Sequence, residues 1–397
     1  MTDRSFSPGS LLLAFGIVFA SACGSSGPSH GGGTAGASGG GVSGDAGATP
    51  SGTAGADAAG APGTAGDATG AAGAAPDGGA GLGGDAGTVA STPDAAAGTG
   101  GADGVSVTDP GTDGDGVFQI ASPFKAAPEM SDQPGVAKGT IVQFTMATNT
   151  TFNDGSRKVA VYIPAGYVSG TEVPFMVAQD GVGAQNGGSF GLDDLRPLMD
   201  NMIAAKMIPM MAGVFVDPGA MRSVEYDTVS DKYWTFVETE LLPAAIAQVQ
   251  TMKSVTLNLT KDPEGRGAFG GSSGGAAAFT MGWFHPESYR RILTLSGSFL
   301  KLQSSVMYPN GAGDYAMTLI PTSAVLPLRI FMEAGSMDLG GTRWRDANDA
   351  MSAALMTKGG YHYRYIQAAG AMHEDDGARR QYLPAAMQWL WRGYPIK

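Results

Sequence analysis

One tract decides where this chain can fold. From Gly24 to Gly116 it is built almost wholly of Gly, Ala, Ser, Thr, Pro and Asp, with no Phe, Tyr, Trp, Ile, Met, Lys, Arg or Glu. Such a segment has too little apolar surface to offset the entropy of ordering it. It also lacks the fixed period of a glycine-rich folded repeat. Residues 23–116 therefore read as a disordered tether, with an end-to-end distance of about 50–60 Å for a flexible chain of that length. The tract holds ten aspartates and no base, so ten of the chain's formal net charge of -12 belong to it and residues 117–397 are nearly neutral. The low pI then says little about the substrate. No basic stripe is present to suggest nucleic acid as a partner.

Ahead of the tether, Arg4 precedes the apolar run "LLLAFGIVFA" at 11–20. That run is too short to span a bilayer and fits a secretory signal over residues 1–22. "ASAC" follows and ends in Cys23, the only cysteine. It resembles a bacterial lipoprotein signal, with Ala20 where leucine is usual, and implies acylation of Cys23. Ala20-Ser21-Ala22 equally fits an A-x-A site cut at the same bond. Either reading exports the chain to the cell envelope or beyond, with a membrane attachment through Cys23 in the first. With a single cysteine, no intramolecular disulfide forms.

Residues 117–397 read as one large domain. "TIVQFTMAT" (140–148) and "RKVAVYIP" (157–164) predict two strands joined through the turn signal "NDG". "VPFMVAQ" (173–179) predicts a buried strand, "LDDLRPLMDNMIAAK" a helix and "MIPMMAGVFV" a strand. A helix over 232–250, a strand in "GRGAFG", a helix in "GAAAFTMGWF" and a strand in "RRILTLSGSF" follow. "LRIFMEAG", "RWRDANDAMSAALMTK", "YHYRYIQAAG" and "YLPAAMQWLWR" complete a strand-helix-strand-helix end. This alternation predicts an α/β fold with a mostly parallel central sheet and helices on both faces. The methionines read as core fillers rather than metal ligands.

The chemistry centres on "AFGGSSGGAAAF" (268–279), which lies between a strand and a helix. A nucleophile elbow has the form G-x-S-x-G, with small residues on either side because the turn is sharp and strained. The stretch satisfies it twice, with Gly270 and Gly274 about Ser272, or Gly271 and Gly275 about Ser273. Sterics alone barely separate the two. Of four histidines, His30 lies in the tether, His285 at a helix end and His362 within a strand. His373, in a loop after the last strand, is left as the base. Asp338, just past the strand "LRIFMEAG", is the candidate acid, which completes the order Ser, Asp, His. Glu333 is its competitor, with a structural ion pair to Arg329 or Arg364 as its other reading. The oxyanion donors would be the N–H of Ser273 and one from "DGVGAQNGG", at Gly181 or else Val182. Gly181 and Gly183 also start a dinucleotide motif, but Asn186 stands where its third glycine belongs. "HEDD" (373–376) has the composition of a calcium site, yet adjacent positions of one loop converge poorly on a cation.

"RGAFGGSSGGAAAF…HPESYRRILTLSGSF" resembles the enterochelin-esterase and esterase D branch of the α/β hydrolases, over about residues 120–395. That branch includes acetyl- and feruloyl-esterases. The resemblance implies an α/β-hydrolase fold and Ser272 as nucleophile, since the elbow there reads G-x-S-x-G-G. Its Arg-x-x-Glu-Tyr pattern falls on Arg222, Glu225 and Tyr226, which makes Asp180, Arg222 and Glu225 candidates for substrate binding. It implies a serine esterase with a Ser272–His373–Asp338 triad and no metal or organic cofactor, acting on a siderophore-type or carbohydrate-linked ester. An acyltransferase and a non-catalytic binding protein use the same fold. The departure comes after His373, where small or amide residues are usual and this chain has Glu374, Asp375 and Asp376.

Overall fold

The structure is a computed structural model and describes residues 111–183 and 191–396. The chain divides into a unit of Met1–Ser91 and a unit of Thr92–Lys397. The signal, Cys23, His30, the tether to residue 110 and Asn186 lie outside the described residues. Residues 111–116, placed in the tether by composition, are described, and Gly116 opens the first strand.

The strands are β1 (Gly116–Ala121), β2 (Thr140–Met146), β3 (Arg157–Ile163), β4 (Glu172–Val173), β5 (Phe175–Gln179), β6 (Ala212–Val216), β7 (Asn258–Leu259), β8 (Arg266–Gly271), β9 (Arg291–Leu295), β10 (Arg329–Gly335) and β11 (His362–Ala369). Nine form one sheet in the order β1-β11-β10-β9-β8-β5-β6-β3-β2, while β4 and β7 pair separately. From β1 to β6 every neighbour is parallel; β3 runs antiparallel to both β6 and β2. Every residue of β5, β6, β8, β9 and β10 is buried. Central parallel strands covered on both faces read as unbroken apolar runs.

The helices are α1 (Leu192–Ala204), α2 (Arg222–Tyr226), α3 (Lys232–Phe236), α4 (Leu242–Lys253), α5 (Ser272–Phe284), α6 (Ile320–Thr322), α7 (Arg343–Lys358) and α8 (Asp376–Leu390). A π-helical segment, Val237–Leu241, joins α3 to α4, matching the single helix expected there. Two apolar cores result. One packs Val159, Val177, Val214, Ile292 and Ile330 beneath α3, α4, α5 and α7. The other packs Met176, Phe269, Leu293 and Phe331 beneath α1 and α8. Alternate residues of each strand serve opposite layers, as the strand period of two requires.

Two expectations need correction. The link between β2 and β3 is a ten-residue loop, 147–156, rather than a tight hairpin turn at "NDG". Buried Asn149 organises it, accepting from the N–H of Phe152 at 2.7 Å and donating to Asp154 at 3.0 Å. Strand β1, not expected at all, adds a parallel edge to β11.

Candidate functional site

Strand β8 runs straight into α5, and Ser272 is the turn between them. Its φ is +52°, in the left-handed region that non-glycine residues rarely occupy. A Cβ on Gly270 would collide with the backbone of Gly274 and come within 2.9 Å of the Gly275 nitrogen. Those are main-chain atoms of the helix itself and have no room to move. In the other register a Cβ on Gly271 meets the movable side chain of Glu374, and one on Gly275 meets the Gly270 carbonyl at 3.1 Å. Ser272 is partly exposed, whereas Ser273 is 4% exposed and donates to buried Asp227 at 3.1 Å. The steric demand and the accessible hydroxyl therefore coincide at Ser272.

His373 sits between β11 and α8, and its Nδ1 makes a short contact with Asp338 Oδ1. Asp338 is 3% exposed and also accepts from the Leu339 N–H at 2.7 Å. The histidine loop is tied at both ends by Asp375. One carboxylate oxygen caps α8 through Ala378 N–H at 3.0 Å, and the other accepts from Met372 N–H at 3.2 Å. Asp376 pairs with Arg379 at 2.5 Å. The acidic run after His373 thus fans out rather than converging on a cation. Among the described residues no group of three His, Cys, Asp or Glu is placed to hold a metal.

Ser272 Oγ lies 3.3 Å from Ser298 Oγ, which in turn accepts from the Trp344 indole at 3.0 Å. The Trp344 ring meets His373 edge-on at 5.7 Å. Ser298 N–H also donates to the Ser272 carbonyl at 2.9 Å. Ser298 and Trp344 thus link nucleophile candidate and base candidate, and sequence reading had not singled out either. The available signal was a tryptophan between two arginines at the start of a polar helix.

Both loop donors are already engaged. Gly181 N–H goes to the Val216 carbonyl at 3.3 Å, and Val182 N–H to Asp217 at 2.9 Å. The expectation that Gly181 presents its N–H to the site is corrected on that ground. Ser273 N–H, in the first turn of α5, has no acceptor within its helix and points with the positive end of the helix dipole. Glu225 is also corrected. It is 2% exposed, accepts from Gly219 N–H at 2.6 Å and pairs with buried Arg157 at 2.6 Å, so it faces the interior. Burial lifts its carboxyl to about 7, with hydrogen bonding to Asp154 adding to the rise. Despite desolvation, the bonds from Glu225 and Asn149 and the charge of Arg157 hold Asp154 below its ordinary value. Asp180 and Arg222 stay at the site as a bidentate pair at 2.9 and 2.7 Å, and a Cβ on Gly274 would lie 3.0 Å from Asp180.

A family model described as "Putative esterase" matches residues 150–357, more than half of the chain. The chain belongs to this esterase family. No curated relative matches it. Among solved structures it is similar to an enterobactin esterase from Shigella flexneri in the presence of 2,3-di-hydroxy-N-benzoyl-serine, at 21% identity and TM-score 0.48, covering 66% of this chain and 60% of that one. The ferric enterobactin esterase of Salmonella typhimurium gives 22% and 0.49, covering 64% and 58%. A feruloyl esterase module from Clostridium thermocellum complexed with sinapinate gives 18% and 0.47, covering 70% and 96%. The chain thus spans about three fifths of the enterobactin esterases' length.

Within the esterase sheet, Glu333 is not the partner of His373. It lies on β10, 1% exposed, and accepts from Tyr382 OH at 3.1 Å rather than pairing with Arg329 or Arg364. Burial raises its carboxyl to about 8, and the charges of Asp338, Glu374 and Asp375 add to the rise. The other two described histidines are occupied elsewhere. His285 stacks on Trp234 at 3.6 Å and contacts Glu287, and His362 contacts Asp115 at 2.9 Å.

Proposed function

We propose that this esterase is a serine carboxylic-ester hydrolase in which Ser272 is the nucleophile, His373 the general base and Asp338 the residue that orients it. The observation that carries the reading is the strained Ser272 elbow beside a His373–Asp338 pair on separate loops of one sheet edge. His373 Nδ1 faces Asp338, which leaves Nε2 for the Ser272 proton. In the first step the Ser272 Oγ–carbon bond forms, His373 takes the proton, and the proton passes to the departing alcohol. Water then attacks the acyl-enzyme and gives a proton to His373; the acyl–Oγ bond breaks, His373 returns the proton to Ser272 Oγ, and the acid is released. Ser273 N–H at the helix start stabilises the oxyanion in both steps.

The esters implied by the sequence resemblance, acetyl, feruloyl and siderophore-type, are the substrates to test first. We further place the protein on the cell envelope through acylated Cys23; an unmodified Cys23 on the native protein, seen by mass spectrometry, refutes that placement.

The test is a fluorophosphonate adduct located by peptide mass spectrometry, together with turnover of a chromogenic ester. The adduct is expected on Ser272. Ser272→Ala and His373→Ala are each expected to lower kcat by about 10³-fold or more, and the double variant little further. An adduct on Ser273, or an active His373→Ala variant, overturns the assignment.

A further inference from the structure

The loop that carries His373 brings a second carboxylate to the nucleophile, one that the chemistry above does not use. Glu374 has φ +50°, which turns its side chain off the line of the loop. The carboxyl lies against Gly271, the residue before Ser272, and fills the space that a Cβ there would take. Its own N–H donates to buried Ser296 at 3.3 Å and holds the backbone at this residue.

Burial raises the Glu374 carboxyl above its ordinary value and Asp180 adds to the rise, while His373, Arg222 and Arg379 favour the charged form. Arg222 is held by both oxygens of Asp180, and Arg379 by Asp194 and Asp376. The other acids around the site each have a donor. Asp338 has His373, Asp217 has two backbone N–H groups, Asp227 has Ser223 and Ser273, and Glu333 has Tyr382. Among the described residues the Glu374 carboxyl has no hydrogen bond or ion pair. The site thus holds an acid without a partner among the described residues, against the residue that precedes the nucleophile candidate.

We propose that Glu374 is a specificity-determining residue that sets the charge of the acceptable ester. It admits substrates that are uncharged or cationic next to the scissile carbonyl and rejects anionic ones. The inference rests on the esterase reading above. It narrows the substrate class, since a carbohydrate-linked acetyl or feruloyl ester is neutral at that point while an iron-loaded catecholate siderophore is an anion. Like charges a few ångströms apart in a half-buried site repel strongly enough to change discrimination by about tenfold or more.

The experiment compares 4-nitrophenyl butyrate with 4-nitrophenyl hemisuccinate, which differ by a terminal carboxylate. The full chain, Ser272→Ala, Glu374→Gln and Glu374→Ala are assayed, with folding checked by thermal melting. The wild-type protein is expected to prefer the butyrate. Both Glu374 variants are expected to raise the kcat/KM ratio of hemisuccinate to butyrate by about tenfold, and added salt to raise it in the wild type alone. Two variants of different shape separate the loss of charge from a local packing change. Ser272-dependent hydrolysis with a ratio within twofold of wild type in both variants overturns the role of Glu374 and leaves the esterase reading standing. Absence of any Ser272-dependent hydrolysis overturns both.

Discussion

At Ser272 the chain accepts a backbone conformation that an L-residue avoids, and the reason lies in its neighbours. A φ of +52° marks the turn out of the strand; glycine at 270 lets the helix start that close, and glycine at 274 leaves room for Gln179 and Asp180. Strain of this kind is held in place by the surrounding fold and amounts to about 1–3 kcal/mol. Glycine relieves it. Ser272→Gly is therefore expected to stabilise the protein by about 1 kcal/mol while abolishing ester turnover. A chemical denaturation curve with unchanged or lower stability contradicts the strain argument. Ser273, one position on, has the opposite balance: its hydroxyl serves buried Asp227 and its contribution is to folding. The doublet was legible in the sequence as two possible elbows. Which serine is exposed depends on Asp227, 46 positions away, and no local pattern reports that.

The elements divide the labour between layers. Strand β8 and helix α5 present the serine, the β10–α7 connection presents Asp338, and the β11–α8 connection presents His373. Beneath Asp338, β10 buries Glu333 with one hydrogen bond from Tyr382. Its carboxyl keeps a proton to about pH 8, whereas an exposed glutamate loses its proton near 4.5. Between those values the folded state binds more protons than the unfolded chain, so stability falls as pH rises, at up to about 1.4 kcal/mol per unit for one such group. Glu225, raised to about 7, adds a contribution of the same sign over a narrower window. Glu333→Gln is expected to flatten the decline of Tm between pH 5 and 8 and to leave the Glu225 share. An undiminished slope places Glu333 in its ordinary, ionised state. The strands were legible because buried parallel strands are unbroken apolar runs. The exposed edge strand β1 has no such run, and the β2–β3 loop is organised by one buried asparagine, so both escaped sequence reading.

Across the whole molecule, composition separates a Gly-Ala-Asp tract from a region that can bury two cores. The described residues carry every member of the candidate triad. Residues 111–397 alone are expected to hydrolyse a small soluble ester with kcat/KM within about twofold of the full chain. A fall of tenfold or more makes the tract part of the catalytic unit and not a tether. Sequence by itself determined the α/β class, the serine turn between strand and helix and the candidates for a Ser, Asp, His order, because each follows from local pattern: period, small-residue spacing and turn composition. The tertiary structure alone decided which groups meet. It turned Glu225 inward to Arg157, committed the Gly181 and Val182 N–H groups to β6 and Asp217, joined His373 to Asp338 rather than Glu333, and set Glu374 against the elbow. Those pairings join residues tens to more than a hundred positions apart, and only the sheet order sets their distance.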